Sequence, residues 1–131
     1  MEGVAGEPTP SMQEYLTAIY KRSGTGWART TDIAHDLSTT PASVTEAFKR
    51  LASEGLIEYV PYRGVRLTEK GLQVAEAVAR RESMLREAFV AMGIDPAEAD
   101  RLACLLEHAV SDEGARRVYE FARRCGGGGV G

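Results

Sequence analysis

No apolar run in the chain approaches the roughly 20 residues needed to cross a bilayer, and the opening MEGVAGEPTP carries neither a basic segment nor an apolar core for export. A cytoplasmic protein with no membrane partner is expected. Cysteine is scarce: Cys104 and Cys125 are the only two, with no C-x-x-C pairing, which argues against a disulfide framework or a zinc ribbon and predicts free thiols. An excess of positive charge is also missing. The formal net charge of -3 excludes indiscriminate coating of nucleic acid, so any DNA contact must be a local basic surface. With 131 residues, 44% of them hydrophobic and 27% charged, the chain suits one small domain with a helical appendage and leaves little room for a second independent domain.

Residues 1–10 are rich in Gly and Pro and read as a flexible arm. Ser11-Met12-Gln13-Glu14 then has the S-x-x-E form of a capping box, and Met12, Tyr15, Leu16, Ile19 and Tyr20 fall on one helical stripe. Past the breaker at Ser23–Gly26, Thr30 or Thr31 is placed to cap a short helix burying Ile33, Ala34 and Leu37. Thr40 as N-cap and Pro41 as first helical residue open a third helix, with Val44, Ala47, Phe48 and Leu51 inward and Gly55 as its stop. Two short helices so closely joined predict a helix-turn-helix. The β-prone LIEYV is answered by GVRL across Pro61-Tyr62-Arg63, a hairpin wing.

A long helix from Thr68 runs to Met92, a fifth follows the capping signal Asp95-Pro96-Ala97-Glu98 with Ala99, Leu102, Ala103, Leu106 and Ala109 inward, and a last helix opens at Ser111. The expectation is a mainly α protein with a small β-hairpin: a winged helix-turn-helix over residues 11–72, a helical segment for metal binding and dimerisation over 73–125, and a Gly-rich tail from Gly126 to Gly131.

On the third helix, the face opposite the apolar stripe offers Ala42, Ser43, Thr45, Glu46, Lys49 and Arg50 behind Thr40. Small residues near the N-terminal end, followed by basic ones, suit a major groove with phosphates alongside. Ser43 and Thr45 can bond base edges or phosphates, Ala42 can touch a thymine methyl, and Glu46 can accept from cytosine N4. Arg63 at the wing tip, and Arg29 with Thr30 before the second helix, are placed for backbone phosphates. Singly, each of these is equally a solvated surface residue; their order along the chain is what points to DNA.

Cys104, Glu107 and His108 stand at i, i+3 and i+4 of the fifth predicted helix. A thiolate or its neighbouring carbonyl, a carboxylate and an imidazole on one side suit a first-row transition ion, while a buried Cys beside a solvated Glu-His pair is the bland alternative. Glu82, at heptad spacing among Val78, Leu85 and Phe89, faces a core and needs a partner. Arg86 one turn on, or a metal, would serve. Glu14 reads as the second half of its capping box and Asp100 as an exposed acid.

Taken together, SMQEYLTAIY, TTDIAHDLSTTPASVTEAFKRLASEGLIEY, PYRGVRLTEKG and ACLLEHAVSDE resemble the diphtheria toxin repressor and manganese transport regulator family of iron- and manganese-dependent repressors, over residues 11–125. The resemblance implies a dimer that binds double-stranded operator DNA at an inverted repeat when loaded with Mn²⁺ or Fe²⁺, with Co²⁺, Ni²⁺ and Zn²⁺ binding in vitro. It gives Glu14 a ligand role beside Cys104, Glu107 and His108. Glu82 stands where most members carry a His ligand, Arg86 where a second-site carboxylate is usual, and Thr17 where manganese-type members have an acid. One complete site is implied, and a second is left open. The SH3-like domain of longer members is absent, so the chain is expected to be a short member or one cut at the Gly-rich linker. An enzyme using Cys104 as nucleophile and His108 as base is not expected, because no oxyanion hole or orienting third residue is supplied. A winged-helix regulator answering to a small organic ligand, or to oxidation of Cys104, is the competing class.

Overall fold

A computed structural model describes residues 8–127. Helix α1 (Pro10–Ser23) starts earlier than the S-x-x-E pattern predicts, because Thr9 and not Ser11 is its N-cap. The Thr9 hydroxyl accepts from the Met12 amide at 3.2 Å, and Pro10 takes the first helical position, where its missing N–H costs nothing. Of two capping patterns overlapping in PTPSMQE, the one that uses the proline prevails. Pro8–Pro10 are therefore not part of a flexible arm; residues 1–7 of that expectation lie outside the described residues.

Helix α2 (Thr30–Asp36) also departs from expectation. Arg29 occupies the N-cap position without a side-chain cap, and Thr30 is already helical. The Arg22 guanidinium donates to Asp36 from two of its nitrogens, at 3.0 and 2.6 Å, and holds that carboxyl below the usual range. Ser38 turns the chain with a φ of 54°, a left-handed conformation for a residue bearing a side chain. Helix α3 (Pro41–Ser53) then starts as predicted, the Thr40 hydroxyl accepting from the Ser43 amide at 3.1 Å. Strands β1 (Ile57–Val60) and β2 (Gly64–Leu67) pair antiparallel from Ile57↔Leu67 to Val60↔Gly64. A two-bond bridge between Ala28 and Val65 ties the loop before α2 to β2.

Leu16, Ile19, Ile33, Val44, Phe48, Leu51, Leu56 and Val65 form the core of this first unit, with Tyr15 and Tyr59 packed edge-on against Phe48. The division into two compact units falls inside helix α4 (Glu69–Ala91), after Glu76. In the second unit, Asp95 caps α5 (Pro96–Leu106) and Ser111 caps α6 (Asp112–Ala122). Leu85, Ala103 and Ala115 are buried there, with Met84, Phe89 and Val110 against them. Two of the predicted inward residues of α5 are not: Leu106 and Ala109 are exposed, because the helix stops at Leu106 and the chain turns. A π-helical turn, Arg123–Gly127, continues beyond α6, so Gly126 and Gly127 belong to structure, and the rest of the predicted tail lies outside the described residues.

The start of α4 is docked on the end of α3's connection. The Thr68 hydroxyl donates to the Gly55 carbonyl at 2.7 Å and accepts from the Gly71 amide at 3.1 Å. A Cβ on Gly71 would lie 2.0 Å from the Leu56 carbonyl oxygen. Gly71→Ala should therefore destabilise the fold by about 1–3 kcal/mol, the cost of overpacking against backbone, although Ala is favoured over Gly in a helix by roughly 1 kcal/mol. Urea unfolding checks the sign; a stabilised variant would refute the close approach.

Candidate metal centre and nucleic-acid interface

Of the residues predicted to hold metal, the structure brings Glu107 and His108 together. They stand not on α5 but on the turn after it, since Glu107 is the helix C-cap. The His108 Nε2 lies 3.0 Å from one Glu107 carboxylate oxygen, Oε2. The other oxygen, Oε1, is buried and has no hydrogen-bond partner. Glu107 is 2% exposed.

A buried carboxylate oxygen without a donor costs on the order of several kcal/mol. A cation held by Glu107 and His108 would remove that cost. The chemistry of this pair thus fits a divalent ion, a carboxylate and an imidazole being ligands common to Mn²⁺, Fe²⁺ and Zn²⁺.

Cys104 is on α5 and exposed. No group of three His, Cys, Asp or Glu side chains placed to hold an ion occurs among the described residues. Glu82 is half-buried, with the Arg86 guanidinium 3.9 Å away; Arg86 also reaches Asp100 at 3.2 Å. The cationic partner foreseen for Glu82 is thus present. Thr17 is buried and donates to the Gln13 carbonyl of its own helix at 2.7 Å. Glu14, released from the predicted capping box, is exposed on α1. Burial pushes the neighbouring Tyr15 phenol up, and the Glu14 carboxylate adds to the effect.

Sequence reasoning missed Arg81. It is one of the few buried charged residues, and it donates from Nε to the Glu107 carbonyl at 2.8 Å and from an outer nitrogen to Asp112 at 2.9 Å. The guanidinium thereby fixes the backbone of Glu107 between α4 and the start of α6. A basic pair Arg80-Arg81 ahead of Glu82 was the one available signal, and either arginine reads as solvated.

The predicted DNA-reading residues fall on α3, the N-terminal end of α2 and the wing. Arg29, Thr40, Ala42, Ser43, Glu46, Lys49, Arg50 and Arg63 are exposed, whereas Thr30 and Thr45 are half-buried. The Thr40 and Ser43 hydroxyls are hydrogen-bonded to each other at 3.1 Å at the start of α3. Glu46 and Lys49 sit 3.9 Å apart on the same face. Trp27, also missed, lies under two wing arginines.

A family model described as the iron dependent repressor, N-terminal DNA binding domain, matches residues 7–65. Its companion, the iron dependent repressor metal binding and dimerisation domain, matches residues 68–125. The HTH-type transcriptional regulator MntR of Listeria monocytogenes serotype 4a (strain HCC23) is 35% identical over 117 residues, which cover 88% of this chain and 82% of that protein. Among solved structures, a manganese-dependent transcriptional repressor in complex with manganese is similar at a TM-score of 0.72 and 28% identity, over 85% of this chain and 52% of its own. A hypothetical protein from Sulfolobus solfataricus gives 0.68 at 25% identity, over 88% and 90%. With both halves matched in order and a curated relative covered over most of its length, the chain belongs to the iron-dependent repressor family of metal-dependent transcriptional repressors.

Proposed function

We propose that the protein is a homodimeric repressor that binds an inverted-repeat operator when loaded with Mn²⁺ or Fe²⁺. The observation that carries the metal assignment is the buried, unbonded Oε1 of Glu107 beside His108. Glu107 and His108 are the central ligands, joined by Cys104 or its carbonyl and by Glu82, with Glu14 assigned by its place in the family motif. When bound, the ion would supply positive charge to the buried carboxylate of Glu107. Carboxylates with one imidazole favour a hard ion, and Co²⁺, Ni²⁺ and Zn²⁺ bind in vitro because affinity rises along the Irving–Williams series.

The chain's own residues do the rest. Arg81 anchors the Glu107 carbonyl, so the carboxylate and the imidazole are presented from a fixed turn. Glu14 lies on a helix of the DNA-reading unit, and a ligand there makes metal and DNA binding thermodynamically reciprocal. Manganese titration of an operator-binding assay tests this: Glu107→Gln and His108→Ala should lose metal-dependent binding, and Glu82→Gln should lose less, since Arg86 already neutralises that acid. Full metal-dependent binding by both of the first two variants would refute the mechanism.

On the DNA side, Ser43 and Glu46, both exposed on α3, are the base-reading candidates, and Lys49, Arg50, Arg63 and Arg29 the phosphate contacts. Arg63→Ala should weaken binding to every duplex and lower the salt slope by about 1, whereas Ser43→Ala should change sequence preference. An unchanged salt slope for Arg63→Ala would remove the wing from the interface.

The dimer reading is supported by Val90, Met92, Leu105, Leu106 and Phe121, all apolar and all exposed on the second unit. A two-fold dimer reads half-sites separated by one DNA turn of roughly 34 Å or a multiple of it. Leu105→Asp should shift the metal-loaded protein toward monomer in analytical ultracentrifugation; an unaltered sedimentation coefficient would place the interface elsewhere.

A further inference from the structure

Trp27 is the only tryptophan in the chain, and its half-buried indole carries two cations. The guanidinium carbon of Arg63 lies 4.7 Å from the ring centre and that of Arg66 4.8 Å. Both are inside the roughly 6 Å reach of a cation–π contact. The two arginines are not equivalent. Arg66 donates from Nε to Glu58 at 2.7 Å, so its charge is met within the wing. Arg63 is exposed and forms no ion pair among the described residues.

The platform beneath Arg63 is rigid. Ala28, next to the tryptophan, exchanges backbone hydrogen bonds of 2.8 and 2.9 Å with Val65, and a Cβ on Gly64 would come within 2.1 Å of the Ala28 carbonyl oxygen. The Arg63 amide donates to the Val60 carbonyl at 2.9 Å, which closes the turn of the wing. Loop 27–29 and the hairpin therefore move as one piece.

A guanidinium held over a ring still offers the N–H donors of its planar fork, the edge that a phosphate takes in bidentate fashion. We propose that Trp27 is a positioning residue for DNA binding, its indole holding the Arg63 guanidinium as a preorganised phosphate clamp at the wing. The gain is entropic: a long side chain already ordered loses less freedom when it meets the backbone of the duplex. The proposal rests on the assignment of Arg63 to the DNA interface made above.

The test uses the full chain loaded with Mn²⁺ and a mixed-sequence DNA duplex of about 30 base pairs at low salt, because a phosphate contact is independent of sequence. Replacing the ring by an aliphatic group, Trp27→Leu, should weaken binding about twofold to fivefold, the size of an exposed cation–π contact. Trp27→Phe should largely restore it, and Trp27→Leu should add nothing in an Arg63→Ala background. The emission of the single tryptophan should change on adding the duplex to the wild type and not to Arg63→Ala.

Wild-type affinity in Trp27→Leu, or an equal loss with and without Arg63, would overturn the positioning role while leaving Arg63 in the interface. Unchanged affinity in Arg63→Ala would overturn the interface assignment itself, and the clamp with it. Should Trp27→Leu fail to fold, the emission comparison decides: no change on adding the duplex, or a change that survives Arg63→Ala, overturns the proposal.

Discussion

A carboxylate enclosed by protein must be met by donors or by a cation, and in the second unit Glu107 is met by too few. Several features of that unit bear on this one deficit. Helix α5 ends one residue before Glu107, the turn after it sets His108 against one carboxylate oxygen, and Arg81 donates to the Glu107 carbonyl. The buried arginine also donates to Asp112, a residue of the next helix.

The first unit solves a different problem, that of presenting charge on a chain with a net charge of -3. Its basic residues are displayed on secondary structure rather than massed. Lys49 and Arg50 ride on α3, Arg29 stands at the entry to α2, and Arg63 and Arg66 share the Trp27 ring while Glu58 answers one of them. A weakly acidic protein thereby carries a local cationic surface without becoming a general polyanion binder.

What the sequence made legible was whatever is punctuated locally. The Thr40-Pro41 start of α3, the Asp95 and Ser111 caps and the three-residue wing turn all depend on residues within a few positions of one another, and all were foreseen. Where two local signals overlapped, as at Thr9 and Ser11, the wrong one was chosen. Where a helix ends without Gly or Pro, as α5 does at Leu106, its stop was overrun. Trp27 and Arg81 were not legible, because their roles exist only through partners far along the chain: Arg81 meets residues 26 and 31 positions away. The metal-ligand types were readable as chemistry; how they are oriented was not.

The cap on α3 has a further consequence. A helix turns about 100° per residue, so sliding its start by one position would bring Val44 to the surface and send Ser43 inward. Thr40 bonds the Ser43 amide and Pro41 admits no earlier helical hydrogen bond, so the start cannot drift. The hydroxyl that ends the turn thus sets the phase of the helix, and with it which of its side chains stay buried and which face outward.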